Sequence, residues 1–282
     1  MKTNAMNPIT LSLCSVLALA GCISEEGEGE DGELLDDDLG AETSSTEQAV
    51  SWTSLNTFSC NSDLDCTFNL GPSTNRTCFV AGMRGRLTAG VAGYPAGAKI
   101  VDNGSWGYNL YIKNPAYNDI TVTAICIGNT ANRTTAFWSG GAATQIPAGT
   151  ASRRCFLSGL YNYNSTAFST FATNTKVWRD GNVHFLGGNL PAGSQANVSA
   201  VCVDVPTNQG VYEYGNGTSS SFAGNLTYNP ASGGVACGLT GIGGQFTTSN
   251  PGRGVMIGYN AGTRYWNWTL SPWTGGNVLC VK

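Results

Sequence analysis

The sequence predicts an all-β protein made of three internal repeats, and three observations support this prediction. A cysteine-containing phrase recurs along the chain, short runs alternate as strands do, and turn residues separate these runs. The phrase reads Cys, any residue, aliphatic, small, Gly, aliphatic, and a short apolar run with a second cysteine follows each copy. Such self-similarity indicates one supersecondary unit that is written several times. The first and second cysteines of the copies are Cys78 and Cys126, Cys155 and Cys202, and Cys237 and Cys280.

The strands and turns follow the same pattern in each copy. Residues 120–126 and 196–202 alternate aliphatic with small or polar side chains, which is typical of strands with one packed and one wet face. A Gly-containing turn lies between the two cysteines of each copy, and it predicts a hairpin there. No helical periodicity is found after residue 50. We place the repeats at residues 51–129, 130–205 and 206–282.

Two architectures fit three such repeats. One is a single compact pseudo-threefold β body, like the β-prism and β-trefoil lectins, and the other is a row of three small tandem β-modules. A repeat of about 75 residues is small for a core of its own, so disulfides or neighbouring repeats must help to stabilise it. We favour the compact body, although a β-trefoil repeat is shorter than this period.

The first 22 residues have the features of an export signal. Lys2 precedes an apolar run over residues 9–20, and the run ends in Leu19-Ala20-Gly21-Cys22. This ending resembles the lipobox of bacterial lipoproteins. The resemblance implies cleavage before Cys22 and lipidation of Cys22, and Ile23 in the next position implies sorting to the outer membrane. The alternative is an ordinary signal peptide that is cleaved one residue earlier.

Residues 23–50 predict an acidic, disordered tether. They contain 11 of the chain's 18 acidic residues and no Lys or Arg. Such a segment buries too little apolar surface to offset its ordering entropy. Of the 14 Lys and Arg, only Lys2 precedes residue 51, so residues 51–282 hold 13 basic and 7 acidic residues, a net charge of +6. We interpret this excess as a solvated surface, with an anionic partner such as acidic polysaccharide as the alternative, and we expect no specific nucleic acid binding.

The cysteine count predicts four disulfides. Of ten cysteines, Cys14 leaves with the signal and Cys22 takes the lipid, so eight remain in an exported protein. The repeat pairs the first cysteine of each copy with the second, and it leaves Cys60 and Cys66 to pair with each other. The predicted disulfides are Cys60–Cys66, Cys78–Cys126, Cys155–Cys202 and Cys237–Cys280.

Catalysis has little support in the sequence, and we expect no enzyme and no cofactor. His184 is the only histidine, and we expect it to be a surface or packing residue. Glycoside hydrolysis needs two facing carboxylates, and only Asp204 and Glu213 lack an obvious turn or loop role. We also expect no metal site. Asp63 and Asp65 alternate as calcium ligands do, but the Gly and Glu that complete a calcium loop are missing, so a solvated disulfide loop is the preferred interpretation.

Ligand binding is better supported, because the chain has 7 Trp, 11 Tyr and 10 Phe. Aromatic faces beside amide groups suit sugar rings. We expect Trp106, Phe185 and Trp266 to pack in the core, as aromatic residues in strands usually do. The residues that follow the cysteine phrase differ between repeats, which indicates solvent exposure and freedom to form a site. The candidate ligand-binding residues are therefore Arg84 and Arg86 of the first repeat and Tyr161, Asn162, Tyr163 and Asn164 of the second.

These observations predict an exported recognition lipoprotein at the outer membrane or cell surface. Its expected partners are the membrane, through the lipid anchor, and glycans or a surface polysaccharide. Three repeated sites would add avidity to weak binding. The alternative is a structural or protein–protein adhesion module with a protein partner and no small ligand, and a glycan-acting enzyme comes third.

Overall fold

The computed structural model describes residues 52–60, 64–115, 120–147, 149–205, 208–215, 222–228, 234–247 and 252–282. Apart from two short 3-10 helices, these residues form strands and connecting loops, so the all-β prediction is confirmed. Within the described ranges, no helix has the length and apolarity needed to cross a membrane. The predicted signal, the predicted lipidation site Cys22 and the predicted acidic tether lie outside the described residues.

Six strands fall within each predicted repeat. The first repeat holds β1 (Trp52–Cys60), β2 (Leu64–Gly71), β3 (Arg76–Arg84), β4 (Ala96–Asp102), β5 (Tyr108–Asn114) and β6 (Ile120–Gly128). The second holds β7 (Ala131–Trp138), β8 (Thr144–Ile146), β9 (Arg153–Asn162), β10 (Asn174–Asp180), β11 (Val183–Asn189) and β12 (Ala196–Asp204). The third holds β13 (Asn208–Gly215), β14 (Phe222–Tyr228), β15 (Ala236–Gly244), β16 (Gly254–Asn260), β17 (Tyr265–Leu270) and β18 (Thr274–Val281).

The strands form three six-stranded sheets, and each sheet combines strands from two repeats. The orders are β1-β6-β3-β16-β17-β14, β7-β12-β9-β4-β5-β2 and β13-β18-β15-β10-β11-β8. Every sheet begins with three strands of one repeat, namely its first strand and the two strands that carry its paired cysteines of the phrase. Three strands of another repeat continue the sheet, namely the two strands of its hairpin and its second strand. Because each sheet is shared in this way, the chain is not a row of separate tandem modules, and the described strands do not close into a β-trefoil barrel.

The recurring cysteine phrase encodes a β-bulge. In β3, β9 and β15, the pairing with the neighbouring cysteine strand skips one residue, and that residue is the small member of the phrase. An extra residue in one strand bends it and increases its twist. The skipped residues are Ala81, Ser158 and Thr240.

The glycine of the phrase lets the exchanged hairpin approach. In each sheet this glycine pairs with the first strand of the hairpin that comes from the other repeat. A Cβ on Gly159 would lie 2.6 Å from the Cα of Lys99, and one on Gly82 would lie 2.8 Å from the Cα of Met256. Only glycine leaves room for backbones this close. The phrase is therefore required by the contact between repeats as well as by the fold of one repeat.

The centre of the body lies where β3, β9 and β15 pack against one another. The variable residue of the phrase points to this centre, and it is Phe79, Phe156 and Gly238 in the three copies. The rings of Phe79 and Phe156 stack with centroids 4.0 Å apart and planes 7° apart, and both are fully buried. A Cβ on Gly238 would lie 2.2 Å from the Phe79 ring. Two rings fill the centre, so the third position has room for glycine alone.

Four disulfides join the pairs predicted from the repeat. Three of them link directly opposed cysteines of β3 and β6, of β9 and β12, and of β15 and β18. The fourth, Cys60–Cys66, links the end of β1 to β2. These two strands are edges of different sheets, so this disulfide fastens one sheet to the next.

Candidate functional site

A surface groove of about 520 Å³ opens where loops of the first two repeats meet. One wall is residues 86–92, which follow β3, and the other is residues 163–165, which follow β9. Gln195, just before β12, completes the lining. Arg86, Tyr163 and Asn164 were predicted as ligand-binding residues from sequence position alone, and the structure brings these three together around the groove.

Contacts to the third repeat hold the first wall in place. Leu87 is fully buried, and the backbone N–H and hydroxyl of Thr88 both donate to the carbonyl oxygen of Phe246, at 3.3 Å each. Phe246 in turn packs edge-on against Phe168, and both rings are fully buried. The wall is therefore a fixed part of the body, because apolar burial and hydrogen bonds both anchor it.

Asn162 lies beneath the groove and positions its two walls. The side chain is fully buried, so it cannot contact a ligand in the groove. Its Nδ2 is within hydrogen-bond distance of the carbonyl oxygens of Leu87 (2.9 Å), Asn164 (2.7 Å) and Ala167 (3.2 Å). The prediction of Asn162 as a ligand-binding residue is therefore replaced by a positioning role.

The side chain of Asn164 is also occupied within the protein, although it lines the groove. Its Oδ1 accepts from the N–H and the hydroxyl of Thr166, and its Nδ2 donates to the carbonyl oxygen of Gly193 at 2.7 Å. An Asn that bonds the backbone two residues ahead forms a local turn. Asn164 thus shapes the second wall, and its amide is not available to a ligand without breaking that turn.

Tyr161 and Arg84 lie outside the lining. The Tyr161 hydroxyl donates to the carbonyl oxygen of Tyr111 at 3.4 Å, and burial raises the pKa of this phenol well above its usual value. Arg84 ends β3 opposite Gly254 of the exchanged hairpin. Of the six ligand-binding residues predicted from the sequence, only Arg86 and Tyr163 have side chains that line the groove and remain available for binding.

Four polar side chains of the lining have no hydrogen-bond partner in the described part of the chain. They supply a guanidinium, a phenol, a hydroxyl and an amide, which is the set of groups that hydrogen-bonds and stacks on sugars. Sequence reasoning missed two of them, because neither belongs to an aromatic or charged motif. The four are Arg86, Tyr163, Ser165 and Gln195.

Of the two residues considered as weak metal candidates, only Asp65 lies in the described part of the chain. The Asp65 carboxylate is engaged by the ammonium of Lys113 and by the hydroxyl of Tyr94, the latter at 3.3 Å. Asp63 lies outside the described residues. No group of three His, Cys, Asp or Glu side chains within the described ranges could hold a metal ion.

The aromatic residues of the hairpins lie in three different environments. Trp266 is fully buried, as expected. Phe185 is half-buried and stacks on Trp178 with centroids 5.6 Å apart, on the face of its sheet. Trp106 is 81% exposed, so its prediction as a core residue is wrong. The reason is that residues 104–106 form a 3-10 turn between β4 and β5, outside the strand alternation that would turn the indole inward.

His184 is buried in β11, and its Nδ1 has no partner among the described atoms. Burial, and secondarily the positive charges of Arg179, Arg154 and Arg153, lower the pKa of this imidazole to about 4. The imidazole is therefore neutral at pH 7. Asp204, a candidate carboxylate of the sequence, is bound by Arg153 at 3.4 Å and by Asn132 at 2.6 Å, and the side chain of Glu213 lies outside the described residues.

No protein-family model matches the chain, and no curated protein is similar to it.

Proposed function

We propose that the protein is an exported, lipid-anchored recognition protein that binds carbohydrate in the groove between the first two repeats. The observation that carries the proposal is the set of available groups on Arg86, Tyr163, Ser165 and Gln195 around one open groove. A half-exposed tyrosine ring offers a face to the C–H side of a sugar, and the polar groups around it meet the hydroxyls. The fixed walls keep the cost of ordering the site small.

The cellular location of the protein is part of the same proposal. The four disulfides are compatible with an oxidising compartment outside the cytoplasm. Leu19-Ala20-Gly21-Cys22 supports the lipid anchor, and the acidic segment 23–50 would serve as its tether. Mass spectrometry of the mature N-terminus tests this part, because an acylated Cys22 supports it and an unmodified N-terminus at any other residue contradicts it.

A glycan-array screen of the full chain, produced with its disulfides formed, tests the binding. We expect saturable binding to one glycan class, competed by the free sugar and weakened about tenfold or more by Tyr163→Ala through loss of stacking. Trp106→Ala is the matched control, since it removes an exposed aromatic residue outside the groove. A blank array from folded, fully oxidised protein would reject the proposal. Loss of binding in Trp178→Ala alone would move the site to the stacked pair on the sheet face.

A protein partner is the second candidate, and the exposure of Trp106 favours it. An indole that is 81% exposed at a hairpin tip is unusual for a residue without a partner, and tryptophan is enriched at the centres of protein interfaces. An adhesion module would bind its partner through this tip, and free sugars would not compete. In that case Trp106→Ala abolishes binding while Tyr163→Ala leaves it unchanged.

A further inference from the structure

The charge of the groove points to the kind of glycan that it selects. Arg86 is the only charged residue among the described groove-lining residues, which include no Asp or Glu. The Arg86 guanidinium has no ion pair and no hydrogen bond within the described part of the chain. A guanidinium is always charged at physiological pH, and its planar fork matches carboxylate and sulfate oxygens.

No neighbouring carboxylate in the described ranges cancels this charge. Asp65 is close enough to raise the pKa of Tyr161, but its carboxylate is paired with Lys113. Arg84, the last residue of β3, carries the next positive charge in the sequence and lies outside the lining. Residues 51–282 as a whole have a net charge of +6, although the full chain, with its acidic segment 23–50, has a net charge of -4.

We infer that the groove takes a sugar bearing an acidic group, a carboxylate or a sulfate ester, with the acid on Arg86 and the ring on Tyr163. This inference rests on the proposed carbohydrate function and names its ligand class. In this arrangement Gln195 and Ser165 remain for the neutral hydroxyls of the same or the next sugar. The Tyr163 ring stacks on acidic and neutral sugars alike, and the Arg86 guanidinium selects acidic over neutral glycans.

The test measures the affinity of the full, oxidised chain for an oligogalacturonate and for its methyl ester, which has the same sugars and linkages without the charge. We expect the acid to bind about tenfold more tightly at low salt, because one partly exposed charge-assisted contact distinguishes the two forms. The advantage should shrink in 0.5 M salt, as exposed charges are screened. A sulfated oligosaccharide and its desulfated form provide the second arm, which separates carboxylate from sulfate as the preferred acid.

Two arginine variants locate the effect. Arg86→Gln should lower the affinity for the acid about tenfold and leave the affinity for the ester unchanged, since Gln keeps hydrogen bonding and loses the charge. Arg84→Gln removes the same charge two residues away, outside the lining, and should change either affinity less than twofold.

The outcomes separate this inference from the proposed function. If the acid and its ester bind equally in both arms, and Tyr163→Ala weakens both, the groove binds glycans but does not select acids, and only the inference is overturned. If Arg84→Gln and Arg86→Gln have equal effects, the selection belongs to the general field and the assignment to Arg86 is wrong. If neither form binds in either arm, the inference and the proposed groove function are both rejected.

Discussion

Replacing Gly238 with alanine probes the packing on which all three repeats depend. The new Cβ would lie 2.2 Å from Cε2 and 2.5 Å from Cδ2 of Phe79, and 2.8 Å from Cδ1 of Phe156. Neither ring can swing aside, because both are fully buried and stacked on each other. Overpacking of this kind costs about 1–3 kcal/mol, and contact with two rigid rings places this site near the upper value. Denaturant unfolding should show a lower midpoint with an unchanged slope.

Two further variants make this prediction refutable. Gly262→Ala is the control, because its Cβ would meet only Asn260 Oδ1 at 3.3 Å on the surface, and its stability should change by about 0.5 kcal/mol at most. Phe79→Leu replaces the ring that the new methyl group would strike with a smaller side chain. The double variant with Gly238→Ala should therefore recover at least about 1 kcal/mol relative to the sum of the single variants. Strictly additive effects, or a Gly238→Ala protein as stable as the wild type, would show that the centre is not packed as described.

Two other predictions concern buried polar groups. The pKa of His184 is lowered to about 4, so the folded state favours the neutral imidazole. The free energy of unfolding should therefore have its full value above pH 6.5. It should decrease by about 2 kcal/mol, allowing for solvent screening, as the pH falls to 4. His184→Gln should remove this pH dependence of the free energy of unfolding. The loss of stability linked to the lowered pKa of Asp204 appears only below about pH 4. A pH dependence between 6.5 and 4 that persists in the variant would therefore contradict its assignment to His184. Asn162→Ala should lower the free energy of unfolding by about 2–3 kcal/mol by stranding buried carbonyl groups, and it should weaken glycan binding without removing a ligand contact; unchanged stability would refute its positioning role.

The local features of the fold could be predicted from the sequence, because the signals that encode them lie within a few residues. The spacing of the cysteines predicted their partners, since opposed cysteines of neighbouring strands recur with each repeat. The small-Gly pair of the phrase was visible as a repeated pattern, although its meaning was not. It encodes a bulge followed by a close backbone contact, and the residue that makes that contact, such as Lys99 opposite Gly159, belongs to a different repeat.

The exchange of hairpins between repeats could not be predicted, because no local pattern specifies which sheet a hairpin extends. The same limit applied to the candidate site. Residues that follow the phrase were chosen for their expected exposure, but sequence position does not distinguish a side chain that lines a groove, such as Tyr163, from one that supports it, such as Asn162. Hydrogen-bond partners decide between these roles, and the partners of Asn162 include Leu87, which is distant in sequence.

The packing between repeats also bears on the number of ligands that one chain should bind. Three repeats suggested three equivalent sites, yet the residues that follow the phrase pack differently at two of the junctions between repeats. Where loops of the second and third repeats meet, Phe168 and Phe246 pack edge-on and fully buried, and the Phe246 N–H donates to the Phe168 carbonyl oxygen at 2.8 Å. Rings that fill this junction leave no room for a sugar, whereas the junction beside Tyr163 stays open.

We therefore expect one glycan per chain. If the proposed lipid anchor holds many copies on one surface, any avidity comes from these copies and not from repeats within one molecule. Isothermal titration of the full chain with a short glycan measures this number directly. Phe168→Ala opens the filled junction, and it should reduce stability by about 3–5 kcal/mol without adding a second site of equal affinity. A stoichiometry of three in the unmodified chain would contradict this reasoning, because equivalent binding would then survive three chemically different loops.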